Sequence, residues 1–443
     1  MTFNDEPMTK TARTNAIAAD TAAIDTATIA PDTGKPMPKM SKIRFCVGFA
    51  LFSMLWMTAG TSGSAVLLPQ RFTGLGIGVP EVILGTMNSV GCVFALFANV
   101  IFGALSDVTH SRFGKRTPWI ICGGIISAAG YAVSADSASL VGIVAGWSVV
   151  QVGVNMMIAP AVAVLSDRVP ENIRGTFSAF YGGATMVGQS LGTFIGARFI
   201  NNPWRGFTIG VILFAITGIV AICIWPRERA STKQANTGKL TLLDIGRSFI
   251  PPSLHHRDFY LALIGRLMLI FGWSMISGYQ LYILEKYCGM GKDAAANTIS
   301  IMSVITMIVF IVMSLVSGPL SDRLHKRKII VAMGSLFIAI GIAIPWALPT
   351  GLGMILFAGI SGTGYGVYIA VDQALNVDVL PDAKEAGKDL GILNLANTIG
   401  QVLAPVLVGV IVVTTGSYTL LFPIAIISVI IGAIVIMLIR SVN

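Results

Sequence analysis

Two ionisable side chains stand inside apolar runs of this sequence, where charge is costly. Arg266 lies eight residues beyond Asp258, about 12 Å along a helix that rises 1.5 Å per residue. Asp372 lies six residues before Asp378, about 9 Å in by the same measure. A lone charge at such depth in a membrane costs several kcal/mol unless it is paired or hydrated. Opposite sign and similar depth lead us to expect that Arg266 and Asp372 form an ion pair or share a water. Three roles fit such a pair: a static lock between two helices, a contact that breaks as a site alternates, or a carboxylate that takes and releases a proton.

Neutral polar residues gather around these charges at helical spacing. Arg266, Trp273 and Gln280 are seven apart, Tyr365, Tyr368 and Asp372 three and four apart, and Gln151 and Asn155 four apart. Such intervals place side chains on one helix face. Tyr181, Thr185 and Gln189 make another stripe, and Asn394, Asn397 and Gln401 a further one. Hydrogen bonds between membrane helices, worth about 0.6 kcal/mol each, account for any single amide. A hydroxylated solute accounts for them jointly, since it needs directional hydrogen bonds and flat apolar faces to stack on. Five stripes together favour a polar cavity lined by Gln151, Asn155, Trp273, Gln280, Tyr365, Tyr368 and Asn397, with Gln189 and Gln401 at helix interfaces. All four histidines (His110, His255, His256, His325) fall between the apolar runs, and neither a nucleophile elbow, a phosphate loop nor a metal cluster is present. Enzymatic chemistry is not expected.

The elements that must hold these groups are membrane helices. Hydrophobic residues make up 54% of the 443 residues and charged residues 12%, against about 25% charged in soluble domains. Mean hydropathy is +0.78. Runs long enough to cross about 30 Å of hydrocarbon fall near 44–68, 81–105, 119–137, 140–165, 174–197, 206–225, 259–283, 294–318, 328–347, 352–377, 388–412 and 417–439. Glycines within them, such as Gly124, Gly130, Gly188 and Gly192, suit close helix packing through small-residue faces.

The net charge of +9 is a topology signal, and nucleic-acid binding is not expected. Basic residues cluster in the N-terminal tail (Lys35, Lys39, Lys42, Arg44), in two charged turns, in 226–257, and at Lys384, Lys388 and Arg440; the other side carries Arg71, Arg198, Arg205, Lys286 and Lys292. The positive-inside rule then places both termini in the cytoplasm, with an even number of spans. The five cysteines show neither metal-ligand spacing nor a disulfide framework. Residues 1–41 read as a disordered cytoplasmic tail rather than a cleaved leader.

The charged turns also reveal a repeat. Gly103-Ala-Leu-Ser-Asp107, followed by Ser111-Arg-Phe-Gly-Lys-Arg-Thr-Pro-Trp119, recurs in shortened form as Gly318-Pro-Leu-Ser-Asp322-Arg323 with Lys326, Arg327 and Lys328. Asp107 and Asp322 are 215 residues apart, Asp167 and Asp378 are 211 apart, and Gln189 and Gln401 are 212 apart. Three landmarks in one order at near-constant spacing divide the chain into two six-helix bundles, 42–225 and 258–443, joined by a hydrophilic stretch at 226–257. Parallel repeats of this kind characterise one class of transporter folds. The expected fold is all-α: twelve transmembrane helices in two pseudo-symmetric bundles.

These turns resemble the signature loop of the major facilitator superfamily. The longer form at 111–120 is similar to that of the sucrose-transporter-like and glycoside–pentoside–hexuronide cation symporter branch. So are Val371-Asp-Gln-Ala-Leu375, Asp378-Val-Leu-Pro381, Gly387-Lys-Asp-Leu-Gly391 and Gln401-x-x-Ala404-Pro405. The resemblance implies a central cavity lined by the first, fourth, seventh and tenth helices, and halves that rock in alternating access. It also implies that Gly103, Asp107, Arg112, Gly114, Lys115, Arg116, Asp167, Gly318, Asp322, Arg323 and Asp378 act as gating groups, with Asp107 and Arg112 breaking contacts as the cytoplasmic side opens. Helix ends attract charges of opposite sign, so this is helix capping made conditional.

Three positions depart from particular branches. Asn99 stands where melibiose-type permeases carry an acidic cation ligand, Val162 where plant sucrose carriers carry arginine, and Gln189 where drug antiporters follow glycine with proline. The reading that results is a proton-coupled importer of a sugar or glycoside in a bacterial cytoplasmic membrane. It needs no cofactor beyond the proton gradient, and it functions as a monomer. The alternatives are a proton-antiporting exporter of a small amphiphile and a receptor that binds solute without moving it.

Overall fold

The computed structural model describes residues 29–76, 79–228, 256–324, 326–380 and 386–440. Within them twelve rods succeed one another: α1 Lys39–Leu75, α2 Pro80–Val108, α3 Thr117–Asp136, α4 Leu140–Arg168, α5 Glu171–Arg198 and α6 Pro203–Ile224, then α7 Arg257–Ser277, α8 Lys292–Leu324, α9 Arg327–Ala347, α10 Gly351–Asp378, α11 Ala386–Thr415 and α12 Leu421–Met437. Ten are long and apolar enough to cross a membrane. Of the other two, α12 is apolar but 17 residues long, and α5 carries a polar stripe and charged ends.

The boundaries have local causes. Proline, whose missing N–H costs nothing at a helix start, stands in the first turn of α2, α3 and α6. Gly76 (φ 63°) ends α1 and Gly416 (φ 64°) follows α11 in the left-handed conformation that favours glycine.

Two expectations need correction. The seventh span, read as continuous over 259–283, breaks at Gly278 and Tyr279; a short helical piece, Gln280–Tyr282, and a wide π-type segment, Ile283–Tyr287, carry it on. A second π-type segment interrupts α1 at Gly63–Leu67. Within the tail expected to be disordered through residue 41, Ile29–Ala30 pairs with Lys35–Pro36 in a small hairpin. Its Asp32 carboxylate lies 3.1 Å from Arg168 at the end of α4, and Ala30 and Met37 are buried. The hairpin is therefore held by charge and by packing at the basic end of the bundle. Within the joining stretch 226–257, residues 229–255 lie outside the described residues.

Small residues bring helices to backbone contact. A side chain added at Gly188 would approach the Met54 carbonyl oxygen at 2.6 Å, and one at Gly192 the Thr58 oxygen at 2.5 Å, which fixes α5 against α1. Thr58 reinforces the seam by donating to the Gly188 carbonyl at 3.1 Å. Between the halves α2 packs on α11 and α5 on α8, with Gly85 set against the Pro405 backbone.

The repeat appears in the ion pairs as well. Arg116 meets Asp167 at 2.9 Å and Arg327 meets Asp378 at 2.6 Å, each pair 51 residues apart and each lying within its own half.

Gly192→Val forces α1 and α5 apart, and overpacking of this kind costs about 1–3 kcal/mol. A lowered thermal midpoint of the purified protein in detergent is the expected result. Gly182→Ala, where an added carbon meets nothing within 4 Å, should leave the midpoint unchanged.

Candidate functional site

The charges that stand out in the sequence meet inside the C-terminal half. Arg266 on α7 lies 3.1 Å from Asp372 on α10, with side-chain exposures of 5% and 4%. At that burial neither charge has water to fall back on, so its remaining hydrogen-bonding groups need protein partners. Arg266 donates from Nε to Asn397 at 2.8 Å and from Nη2 to Asn394 at 3.1 Å. Asn376, one turn along α10, donates to Asp372 at 2.9 Å. The guanidinium is thus held by a carboxylate on one helix and two amides on another, which spans three helices without leaving the half.

Aromatic rings connect this network to the space between the halves. Tyr365 stacks on Trp273 with ring centres 4.4 Å apart and planes 7° apart. Phe357 and Phe310 flank the stack at 5.8 and 5.7 Å, and Tyr368 lies 6.2 Å from Tyr365. Trp273, Phe310 and Phe357 form one wall of a cavity of about 70 Å³ between the halves. Hydroxyls and amides supply its polar part: Thr61 from α1, Gln189, Ser190 and Thr193 from α5, Ser277 and Gln280 beside the break in α7, and Ser303 and Thr306 from α8, with Ala65, Val66, Ile299, Met302 and Ala358 completing the lining. Among the described residues no ionisable side chain lines it. The Ser190 hydroxyl is buried and has no protein partner.

This lining differs from the expected one. Trp273 and Gln280 line the cavity, and so does Gln189, expected at a helix interface. Gln151, Asn155, Tyr365, Tyr368 and Asn397 are not part of the wall. Asn155 instead accepts from Asn99 at 3.1 Å and donates to the Gln151 carbonyl, tying α4 to α2. Asn397 serves Arg266, and Gln401 is exposed. The N-terminal wall therefore comes from α1 and α5 in place of α4. Ser and Thr supply much of the polarity, and they carry no distinctive signal in an apolar sequence.

The basic turns form a compact network. Arg116, nearly buried, reaches Asp107, Ser106 and Asp167, and Lys115 reaches Asp167 at 3.0 Å. Gly103 lies in α2, and Gly114 adopts φ +96°, which lets the chain turn into α3. Arg112 lies over its neighbour Phe113 at 4.8 Å, and the guanidinium that reaches Asp107 is that of Arg116. Arg323 is exposed at the end of α8 and Asp378 is held by Arg327. Gly318 and Asp322 belong to α8, and their side chains lie outside the described residues.

Glu228 went unnoticed in the sequence. Its carboxylate accepts from the backbone N–H groups of Lys115, Arg116 and Thr117 and from the Thr117 hydroxyl, at 2.8–3.3 Å. It caps α3, whose first N–H groups lack helical partners, and it lines a second cavity of about 310 Å³ with Arg44, Arg116 and Arg168.

The sequence profile of the Major Facilitator Superfamily matches residues 45–350 and, overlapping them, 262–443. A siderophore transporter of Zymoseptoria tritici is 23% identical over 163 residues, which are 37% of this chain and 24% of that protein. An uncharacterized symporter of Synechocystis is 41% identical over 49 residues, 11% of this chain and 9% of its own. The chain thus aligns with less than two thirds of either relative. Among solved structures, the nucleoside transporter NupG superposes with a TM-score of 0.70 at 16% identity, covering 89% of this chain and 99% of that one. A D-xylose–proton symporter superposes with a TM-score of 0.66 at 17% identity, covering 90% and 98%.

Removing one member of a buried ion pair strands the other at a cost of about 3–5 kcal/mol. Arg266→Met alone should lower the thermal midpoint more than the double variant Arg266→Met with Asp372→Asn. Equal midpoints for the parent and both variants would show that the pair contributes nothing to the closed C-terminal half.

Proposed function

The chain belongs to the major facilitator superfamily of membrane transporters, and from that premise we propose that it imports a neutral hydroxylated solute, a sugar or glycoside, together with protons. The observation that carries this reading is the lining of the cavity between the halves. It offers amide and hydroxyl groups beside aromatic faces, and it presents no charge. A sugar ring has the complementary chemistry: hydroxyls at its edge for directional hydrogen bonds, and C–H faces that pack on rings such as Trp273. An organic anion or cation would enter this cavity without a counter-charge, at a desolvation cost that neutral groups do not offset.

Coupling is assigned to Asp372, with Arg266 as its partner. The pair is buried within one half, and Tyr365 and Trp273 link it to the cavity wall through their stack. A proton on Asp372 would release part of the hold on Arg266. The rings beside it would then adjust, and the solute-facing surface with them. The basic end, with the charged turns and Glu228, is taken as the cytoplasmic side. The likeness of the turns at 103–119 and 318–328 to the sucrose and glycoside branch favours a glycoside among hydroxylated solutes, and the D-xylose–proton symporter shares the fold.

Purified protein in proteoliposomes tests this directly with a panel of labelled mono- and disaccharides and nucleosides. An inward proton gradient should drive accumulation of at least one sugar, and Asp372→Asn should abolish accumulation while exchange of solute across the membrane persists. Binding without movement would identify a receptor. Efflux of an amphiphile against its gradient, with no response to any sugar, would identify an exporter.

A further inference from the structure

The end of the molecule opposite the basic turns holds a buried carboxylate whose side-chain partners, among the described residues, come from the other half. Glu81, in the first turn of α2, has 0% exposure. Its Oε1 accepts from the Lys286 ammonium at 2.6 Å and from the Tyr418 hydroxyl. Lys286 belongs to the π-type segment that follows the break in α7, and Tyr418 to the turn between α11 and α12. The backbone beside it is engaged as well. Tyr279 at the break donates to the Glu81 carbonyl at 3.4 Å and to the Pro405 carbonyl at 3.3 Å. Tyr282 donates to the Pro69 carbonyl of α1 at 2.9 Å, and the Lys286 ammonium lies 5.3 Å from the Tyr282 ring centre.

We propose that Glu81, Lys286 and Tyr418 form the latch that holds the two halves shut at this end, with Glu81 as the positioning residue on which it closes. Three features support it. The carboxylate has no side-chain hydrogen bond from its own half among the described residues, so its contacts serve the junction between halves. The partners sit where α7 is interrupted, and a broken helix end can swing without dragging the whole helix with it. The latch is also built to be broken. Glu81 Oε2 is buried with no hydrogen-bond partner among the described residues, so part of its desolvation is uncompensated. Lys286 is 39% exposed on its side chain and regains water easily when released. Burial and the Glu81 carboxylate both push the Tyr418 phenol up, which keeps its O–H available to donate.

The proposal rests on the alternating-access reading and is independent of the solute and of proton coupling. Spin labels at Gly74→Cys and Gly291→Cys report on it. Added side chains at these sites meet nothing within 4 Å, and in opposite halves Gly74 lies five residues beyond Pro69 and Gly291 five residues beyond Lys286. The five native cysteines are first replaced by serine, and distances are read by double electron–electron resonance on the purified full chain without solute.

The parent should show one short distance. Glu81→Gln and Lys286→Met should each raise the population at longer distance at least about tenfold, and their combination no further than the larger single effect, since two groups in direct contact are not independent. Tyr418→Phe, which removes a single oxygen, should raise it about threefold and is the variant least able to disturb folding. Unchanged distributions in all three single variants, at unchanged thermal midpoints, would overturn the latch. So would effects of Glu81→Gln and Lys286→Met that simply add. A failed sugar panel with these shifts intact would count against the solute assignment alone.

Discussion

Hydrocarbon offers no hydrogen bonds, and the structure follows from that constraint. Backbone groups must pair within each segment, so the spanning elements are helices. Charges must find partners at the same depth, and the described charges within the bundle do so. Arg266 is wrapped by Asp372, Asn394 and Asn397. Glu81, at the mouth of α2, is met by Lys286 and Tyr418. At the basic end the Arg327–Asp378 pair is partly exposed on both sides, and Asp167 is partly exposed where it meets the buried Arg116. An exposed pair is worth little on its own and can be exchanged for another, whereas a buried one breaks only at a real cost.

That contrast assigns different work to the two kinds of contact. Helices in lipid gain nothing from hiding apolar surface from their neighbours, so close packing through small residues must hold each half together. Gly188 and Gly192 against α1, and the glycines that join α3 to α4, provide such seams. The halves are therefore stiff, and a stiff half moves as a body. Its position depends on the contacts that cross to its partner: the seams of α2 on α11 and of α5 on α8, and pairs such as Glu81 with Lys286 and Asn201 with Asp293 at 2.5 Å.

Much of this was legible in the sequence, for reasons that can be named. The spans follow from hydropathy, and the two halves from the spacing of Asp107, Asp167 and Gln189 against Asp322, Asp378 and Gln401. The pair Arg266–Asp372 follows from sign and depth, which need no three-dimensional information. The cavity wall was less accessible. Stripes identify a helix face without saying which neighbour it turns toward, so Asn397 reads as a solute ligand when its amide serves a guanidinium. The serines and threonines that line the cavity are common in membrane helices and gave no signal. Glu81 stood unremarked at the head of an apolar run, and its partner Lys286, 205 residues away, read as a loop charge. Their meeting depends on how one half docks against the other, which no periodicity encodes.

The positions of the two buried charge clusters bear on how coupling could work. Arg266 and Asp372 lie in one half, so a change in their charge leaves the contacts between halves untouched. Glu81 and Lys286 lie in different halves, so they hold the conformation without reading the solute. Something must join them if an ion is to move a solute, and α7 is the element common to both. It carries Arg266, then Trp273 two turns later, then Ser277 beside the break, and past the break Gln280 and Lys286. Along one strand of chain stand the proposed coupling charge, the aromatic wall of the cavity, an amide that faces the solute space and the cation of the latch. A displacement of Trp273 by bound solute would be felt at Arg266 through the stack with Tyr365, and at Lys286 through the short piece that begins at Gln280. On this argument the break at Gly278 and Tyr279 is a working joint: a continuous helix would transmit every movement in full, and a fully unwound one would transmit none.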